Sequence, residues 1–246
     1  MLSVMTQNIS RTHIVLVPGF WLGDWAWDAV ANDLNDRGHR VTAVTPPGLE
    51  SSESDRSTIG LDDHIAAVVA ATATTATDQR TVLVAHSGSG PVVYGASDRV
   101  PERIDRIVYV DSGPLQNGTA LRPDLEPSVT EIPLPSWSEL EADGNSLDGL
   151  DDVMLRTFRA RAVPHPAGPA RDALELTNPR RVDVQSTVIC TSFPSEAIAQ
   201  MVTAGHPMVA ELARLTAVEY VDLPTGHWPM WSRPTDLAAA IDAAAR

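Results

Sequence analysis

The chain has 246 residues, 43% of them apolar and 20% charged. That length can bury a sizeable core, and the composition excludes a disordered chain and a membrane protein. Acidic residues outnumber basic ones 32 to 18, for a net charge of −14. Such a field repels phosphate backbones and anionic lipid, which excludes non-specific nucleic-acid binding and membrane-surface attachment.

Other classes fall away residue by residue. The basic groupings are Arg159 with Arg161 and the pair Arg180–Arg181. A single cysteine, Cys190, leaves no intramolecular disulfide and no multi-cysteine zinc or iron–sulfur site, and fits the cytoplasm. The opening ten residues lack a basic start followed by a long apolar run, so no secretory signal is expected. All 18 basic residues are arginine, which excludes lysine Schiff-base chemistry.

The elements alternate along the chain. Thr12 to Val17 is an apolar run ending at Pro18-Gly19 and predicts a buried strand. Asp24 to Arg37 follows as a helix, with Trp27, Val30, Ala31 and Leu34 at helical spacing. Arg40 to Thr45 is a second strand, closed by Pro46-Pro47-Gly48. Thr58 to Thr72 is a helix, with Leu61, Ile65, Val68 and Val69 on one face. Thr81 to Ala85 is a third strand, then a glycine-rich turn leads into a helix from about Gly90. Arg106 to Val110 is a fourth strand. Continuous apolar strands separated by helices predict an α/β fold, with a mostly parallel sheet covered on both faces. Ligands of such sheets bind beyond the carboxyl ends of the strands.

From about Ser112 to Arg181 the alternation stops, and prolines, acidic residues and short helical pieces take over. A structureless loop of roughly seventy residues is improbable in a compact domain. The segment reads as a small, mainly helical cap, residues 113–181, inserted into a core of residues 1–112 and 182–246. Thr187 to Thr191 and Ala217 to Val221 read as further strands, and Thr235 to Ala245 as a closing helix.

The chemistry centres on Ala85-His86-Ser87-Gly88-Ser89-Gly90. A strand runs into a turn of small residues and a helix begins, a setting that presents a serine above the sheet. Small residues two before and two after Ser87 suit the cramped backbone, whereas Ser89 has Pro91 two ahead. No lysine follows, which argues against a phosphate turn.

A serine nucleophile needs a base. His13, His39 and His165 read as structural or exposed, and His64, beside Asp62 and Asp63, as part of a solvated helix face. His86 precedes the serine, so strand alternation turns its side chain away, although it stays among the pocket candidates. His227 follows the last strand and Pro224-Thr225-Gly226, on the same rim as Ser87. Oxyanion donors are expected from the amides of Gly88 and Phe20, the latter beside Gly19.

At this point the sequence resembles the α/β-hydrolase superfamily, over nearly the whole chain. Val15-Leu16-Val17-Pro18-Gly19-Phe20-Trp21 is similar to the oxyanion segment of small esterases and hydroxynitrile lyases. Ala85 to Ser89 is similar to the nucleophile elbow, and Gly226-His227-Trp228-Pro229-Met230 to the histidine loop. The resemblance implies a Ser-acid-His triad, with Ser87 as nucleophile and His227 as base, and no cofactor.

Two departures stand out. Pro18 stands where the family usually has a structural histidine. Ser192-Phe193-Pro194-Ser195 follows the strand after the cap, where the family's acid is usual. That makes Asp111 the expected acid, at the end of the fourth strand as in certain relatives and on the rim beside the strand of Ser87, with Glu196 or a dyad without an acid as alternatives. Trp21, His86, Phe193, Trp228 and Met230 are candidates for the substrate pocket. An apolar pocket suits an uncharged small-molecule ester or lactone. A lyase, a carbon–carbon bond hydrolase and a ligand-binding protein remain alternatives, the lyase weakened by the missing lysine. No metal site is evident, and a monomer or homodimer is expected.

Overall fold

Side chains that alternate between two buried faces build the frame of the molecule. The computed structural model describes residues 12–74 and 79–246. β1 (His13–Val17) leads through a 3-10 turn (Asp24–Trp27) into α1 (Asp28–Asp36) and β2 (Arg40–Ala43). Then come α2 (Leu61–Thr72), β3 (Thr81–His86), α3 (Gly90–Arg99) and β4 (Arg106–Val110). Between β4 and the next sheet strand the chain carries β5 (Glu131–Ile132), α4 (Trp137–Ala142), α5 (Asp152–Arg161), β6 (His165–Pro166) and α6 (Ala167–Arg171). It returns through β7 (Gln185–Cys190), α7 (Ser195–Thr203), β8 (Val218–Asp222), α8 (Pro229–Ser232) and α9 (Pro234–Ala244).

Six strands pair in the order β2-β1-β3-β4-β7-β8, all parallel. Ile14, Leu16, Val82, Val84, Val108 and Val110 point to one face, where Leu34 of α1 and Leu237 and Ile241 of α9 cover them. Val15, Val17, Leu83, Ala85, Ile107 and Tyr109 point to the other, under Ile65 and Val68 of α2 and Val93 and Tyr94 of α3. Fully burying an aliphatic side chain of this kind contributes about 1.5–3 kcal/mol. Burial on both faces is why these strands read as continuous apolar runs rather than as alternating ones. From β1 the chain winds outward to β2, then crosses to β3 on the other side of β1. The crevice this reversal leaves at the carboxyl ends of β1 and β3 is where such sheets bind ligands.

The helices and sheet strands follow the sequence expectation to within a few residues at their ends. Three features differ. The first helix opens with a separate 3-10 turn before α1. The excursion between β4 and β7 also holds an antiparallel ribbon, Ile132 opposite His165 and Glu131 opposite Pro166, which such short, proline-flanked strands did not announce. His64 is buried, not solvated, and its Nε2–H donates to the Pro47 carbonyl at 2.9 Å. The neighbouring aspartates misdirect the sequence reading, because His64 lies three residues after Leu61 and four before Val68, on the core stripe of α2. The expectation for the opening ten residues lies outside the described residues. Among the described residues no helix is long and apolar enough to cross a membrane.

Four buried histidines share one electrostatic state. Burial, with Arg40 nearby, pushes His13 down to about 4. Burial also lowers His64 and His86, and lowers His165 well below the usual value. All four therefore stay neutral in the fold, while the unfolded chain takes up protons below about pH 6.5. Stability from this source is complete above that pH and is lost as pH falls toward the folded-state values. Each histidine contributes a slope of up to about 1.4 kcal/mol per pH unit there. Urea unfolding at pH 7.5, 6.5 and 5.5 should show the midpoint dropping steeply between the last two. An unchanged midpoint at pH 5.5 would contradict the neutral, buried state of these rings.

Candidate active site

β3 ends at His86, and the next residue turns sharply. Ser87 has φ +53°, a left-handed backbone that is strained for a serine. The turn is held from several sides. Ser112 Oγ donates to the Ser87 carbonyl at 2.5 Å. Ser89 Oγ lies between the Val17 and His86 carbonyls, 3.0 and 2.8 Å away. Ser89, the rival nucleophile, is therefore buried and committed to the backbone. Two glycines make the approach possible. A Cβ on Gly19 would come within 2.9 Å of the Ser87 Cβ, and one on Gly88 would overlap the Phe20 ring.

The Ser87 hydroxyl donates to His227 Nε2 at 2.8 Å. His227 Nδ1–H donates to Asp111 Oδ2 at 2.5 Å. Ser87, Asp111 and His227 thus form one hydrogen-bonded chain, on the rim where the sequence reading put them. Asp111 closes β4 at φ +44°, a second strained residue at the site. Burial raises the pKa of its carboxyl, but the hydrogen bond and charge of His227 and the hydroxyl and amide of Ser192 outweigh it. The group is held well below the usual carboxylate range. Ser192 donates to it from Oγ at 2.7 Å and from its amide at 3.1 Å. Ser192 was missed by the sequence reading. The available signal was a small hydroxyl residue just past β7, the strand that pairs with β4. Glu196 stands apart on the exposed first turn of α7, where it accepts from Gln200 at 3.3 Å.

His227 is fixed from both ends. Its amide donates to the Ser146 carbonyl at 2.8 Å, and that of Gly226 to Asp148 at 3.1 Å. Behind it, His86 Nε2–H donates to the His227 carbonyl at 2.7 Å. A carbonyl only accepts, so this ring is the neutral Nε2–H tautomer.

Three pocket candidates are corrected. His86 is buried against His227 and Trp27, as strand alternation implies, and holds the His227 backbone rather than lining a pocket. Trp228 is 2% exposed and packs on Phe158, with its ring 5.2 Å away. Met230 is equally buried. After His227 the chain turns at Trp228 into α8, and both side chains pack into the core.

Trp21 and Phe193 do line the cavity over Ser87, which measures about 890 Å³. Phe20, Gly88, Asp111 and His227 share its wall. Leu121, Ile132 and Leu140 face it from the excursion, and Met201, Val209 and Leu212 from the chain after β7. Arg122 is the cation among its lining residues. Cys190 also lines it, but burial pushes the thiol up to about 12, leaving an unreactive group. The site can move a proton from Ser87 Oγ to His227 beside a largely apolar chamber.

Comparison with known proteins agrees with this architecture. The model of the Alpha/beta hydrolase family matches residues 14–240. Methylesterase 18 of Arabidopsis thaliana is 32% identical over 125 residues, covering 50% of this chain and 47% of that one. The Carbendazim hydrolyzing esterase of Nocardioides sp. (strain SG-4G) is 32% identical over 110 residues, covering 44% and 45%. The matched segments thus span about half the length of these curated relatives. A solved extracellular alpha/beta-hydrolase from a Paenibacillus species superposes with a TM-score of 0.75 at 21% identity, covering 96% of this chain and all of that one, a likeness of fold. With the family model matching nearly from end to end, the chain belongs to the alpha/beta hydrolase family.

Proposed function

We propose that this protein is a serine hydrolase that cleaves a carboxylic ester of a small-to-medium, largely apolar substrate. The observation that carries the reading is the hydrogen-bonded chain from Ser87 through His227 to Asp111, opening on an apolar cavity. Relatives that are esterases support the same chemistry.

Ser87 Oγ attacks the carbonyl carbon while His227 Nε2 takes its proton. Asp111, held ionised, fixes the tautomer of His227 and stabilises its cation. The amides of Phe20 and Gly88 receive the oxyanion. The imidazolium then protonates the leaving alcohol, and an acyl-enzyme remains. Water, activated by His227, releases the acid and restores the serine. A lactone is an internal ester and passes through the same steps.

Residues 113–181 act in this reading as a cap that shapes the chamber and holds the histidine loop through Ser146 and Asp148. The buried free thiol of Cys190 supports a cytoplasmic location. A small molecule is the partner, and a monomer or homodimer suffices because one chain supplies the whole triad.

Hydrolysis of p-nitrophenyl butyrate tests the assignment. Ser87→Ala should lose about 10⁴-fold or more in kcat, and Asp111→Asn about 10³- to 10⁴-fold. Glu196→Gln should stay within about twofold, as surface changes away from the chemistry do. Active Ser87→Ala, or a collapse confined to Glu196→Gln, would sink the assignment.

A second prediction concerns the oxyanion amides. Gly88→Ala places a methyl group against the Phe20 ring and displaces both donors. A loss of about 10²-fold in kcat is expected, with the circular dichroism spectrum retained. Full activity would remove Phe20 and Gly88 from the mechanism.

A further inference from the structure

Phe20 is gripped from two sides. On one side lies Gly88, where a Cβ would overlap the phenyl ring. On the other lies the imidazole of His165, stacked on it with centroids 3.9 Å apart and planes 17° from parallel. His165 does not belong to the central sheet. It sits in β6, on the excursion, 4% exposed. Neither of its ring nitrogens has a protein partner among the described residues. Its contact with Phe20 is made by the face of the ring and not by either nitrogen.

The same ribbon grips the next residue. Trp21 has φ +67°, a third strained backbone beside Ser87. Its indole N–H donates to the Ile132 carbonyl at 2.9 Å, and its own carbonyl accepts from the Val163 amide at 3.0 Å. Ile132 and His165 are cross-strand partners. The ribbon is tied down in turn by Arg56, which donates to the Pro164 carbonyl at 2.8 Å and to Glu131 at 3.3 Å. The Phe20–Trp21 turn is therefore set by β5 and β6 as much as by the end of β1.

We propose that His165 is a positioning residue, which holds Phe20 from the β5–β6 ribbon so that the Phe20 amide meets the developing oxyanion. The proposal rests on the reading of Phe20 and Gly88 as oxyanion donors. Such donors act only when held in place before the reaction, and a small displacement costs rate rather than ground-state binding. The imidazole works here through its stacked face. A ring of similar shape should replace it, and a small side chain should not. A residual cavity of about 10 Å³, lined in part by Phe20, His64 and His165, gives room for the slightly wider phenyl ring.

The test compares His165→Ala, His165→Phe and Trp21→Phe with wild type on p-nitrophenyl butyrate. A trifluoromethyl ketone, whose adduct with the serine places an oxyanion at the same amides, gives a second readout. His165→Ala should lower kcat about 10- to 100-fold, leave KM within about twofold and raise the ketone Ki in parallel. His165→Phe should recover kcat to within about threefold of wild type. Trp21→Phe, which removes the bond to Ile132 and also trims the cavity wall, should lower kcat several-fold with the ketone Ki rising in parallel, and serves if His165→Ala fails to fold. Folded His165→Ala with wild-type kcat and Ki overturns the proposal. So does His165→Phe losing as much as His165→Ala, or Trp21→Phe with full kcat. A wild type that neither hydrolyses the ester nor is labelled at Ser87 by a fluorophosphonate overturns the esterase reading, and this proposal with it. A labelled, active enzyme indifferent to His165→Ala overturns this proposal alone.

Discussion

A serine does not hold a positive φ unaided, and most of the site follows from holding Ser87 there. The left-handed turn lifts its hydroxyl clear of the sheet and toward His227. It also brings three backbone segments so close that side chains are excluded from Gly19 and Gly88. Ser89 and Ser112 spend their hydroxyls on carbonyls of that turn. Strain at one residue is thus offset by packing and hydrogen bonds from four others, the usual condition for strained backbone to persist. Trp21 and Asp111 repeat the pattern at the ends of β1 and β4. The three strained non-glycine residues of the described chain all border one cavity.

The electrostatics around that turn are lopsided by design of the fold. Asp111 is held ionised by His227 and Ser192, while His86 beside the same loop is kept neutral by burial. One charge and one neutral imidazole therefore both contact His227, the first at its ring and the second at its carbonyl. Around them the chamber is largely apolar, inside a molecule whose net charge is −14. That field disfavours approach by strongly anionic substrates and leaves uncharged esters unaffected.

The sheet was legible because buried parallel strands announce themselves as unbroken apolar runs, and Ser87 and His227 were legible because each follows such a run. Asp111 was legible as the expected acid, with Glu196 as its rival. The observed strand order puts β4 beside β3 and so brings Asp111 to the rim of Ser87, while Glu196 lies on α7. His64 was misread from its charged neighbours, although helical spacing from Leu61 and Val68 already put it inside. Trp228 and Met230 were misplaced because the turn at Trp228 into the short α8 takes both side chains into the core. Ser192, the β5–β6 ribbon and the His165 stack were invisible for one reason. Each depends on contacts between segments far apart in sequence, made by residues that look ordinary in their own neighbourhood.

In the proposed triad the acid is carried on β4, and this changes what the rest of the chain is free to become. Ser87 and Asp111 extend from adjacent, hydrogen-bonded strands, with His86 paired to Val110, so sheet register sets their spacing. The loop after β7 is thereby released from supplying the acid. Beyond Ser192 it can lengthen, shorten or exchange residues such as Phe193 without disturbing the chain of hydrogen bonds. That loop also borders the chamber. Under the proposed mechanism, divergence there remodels what is bound while leaving how it reacts untouched, and a library of substrate preferences becomes accessible to drift or to deliberate grafting at a position the chemistry does not occupy.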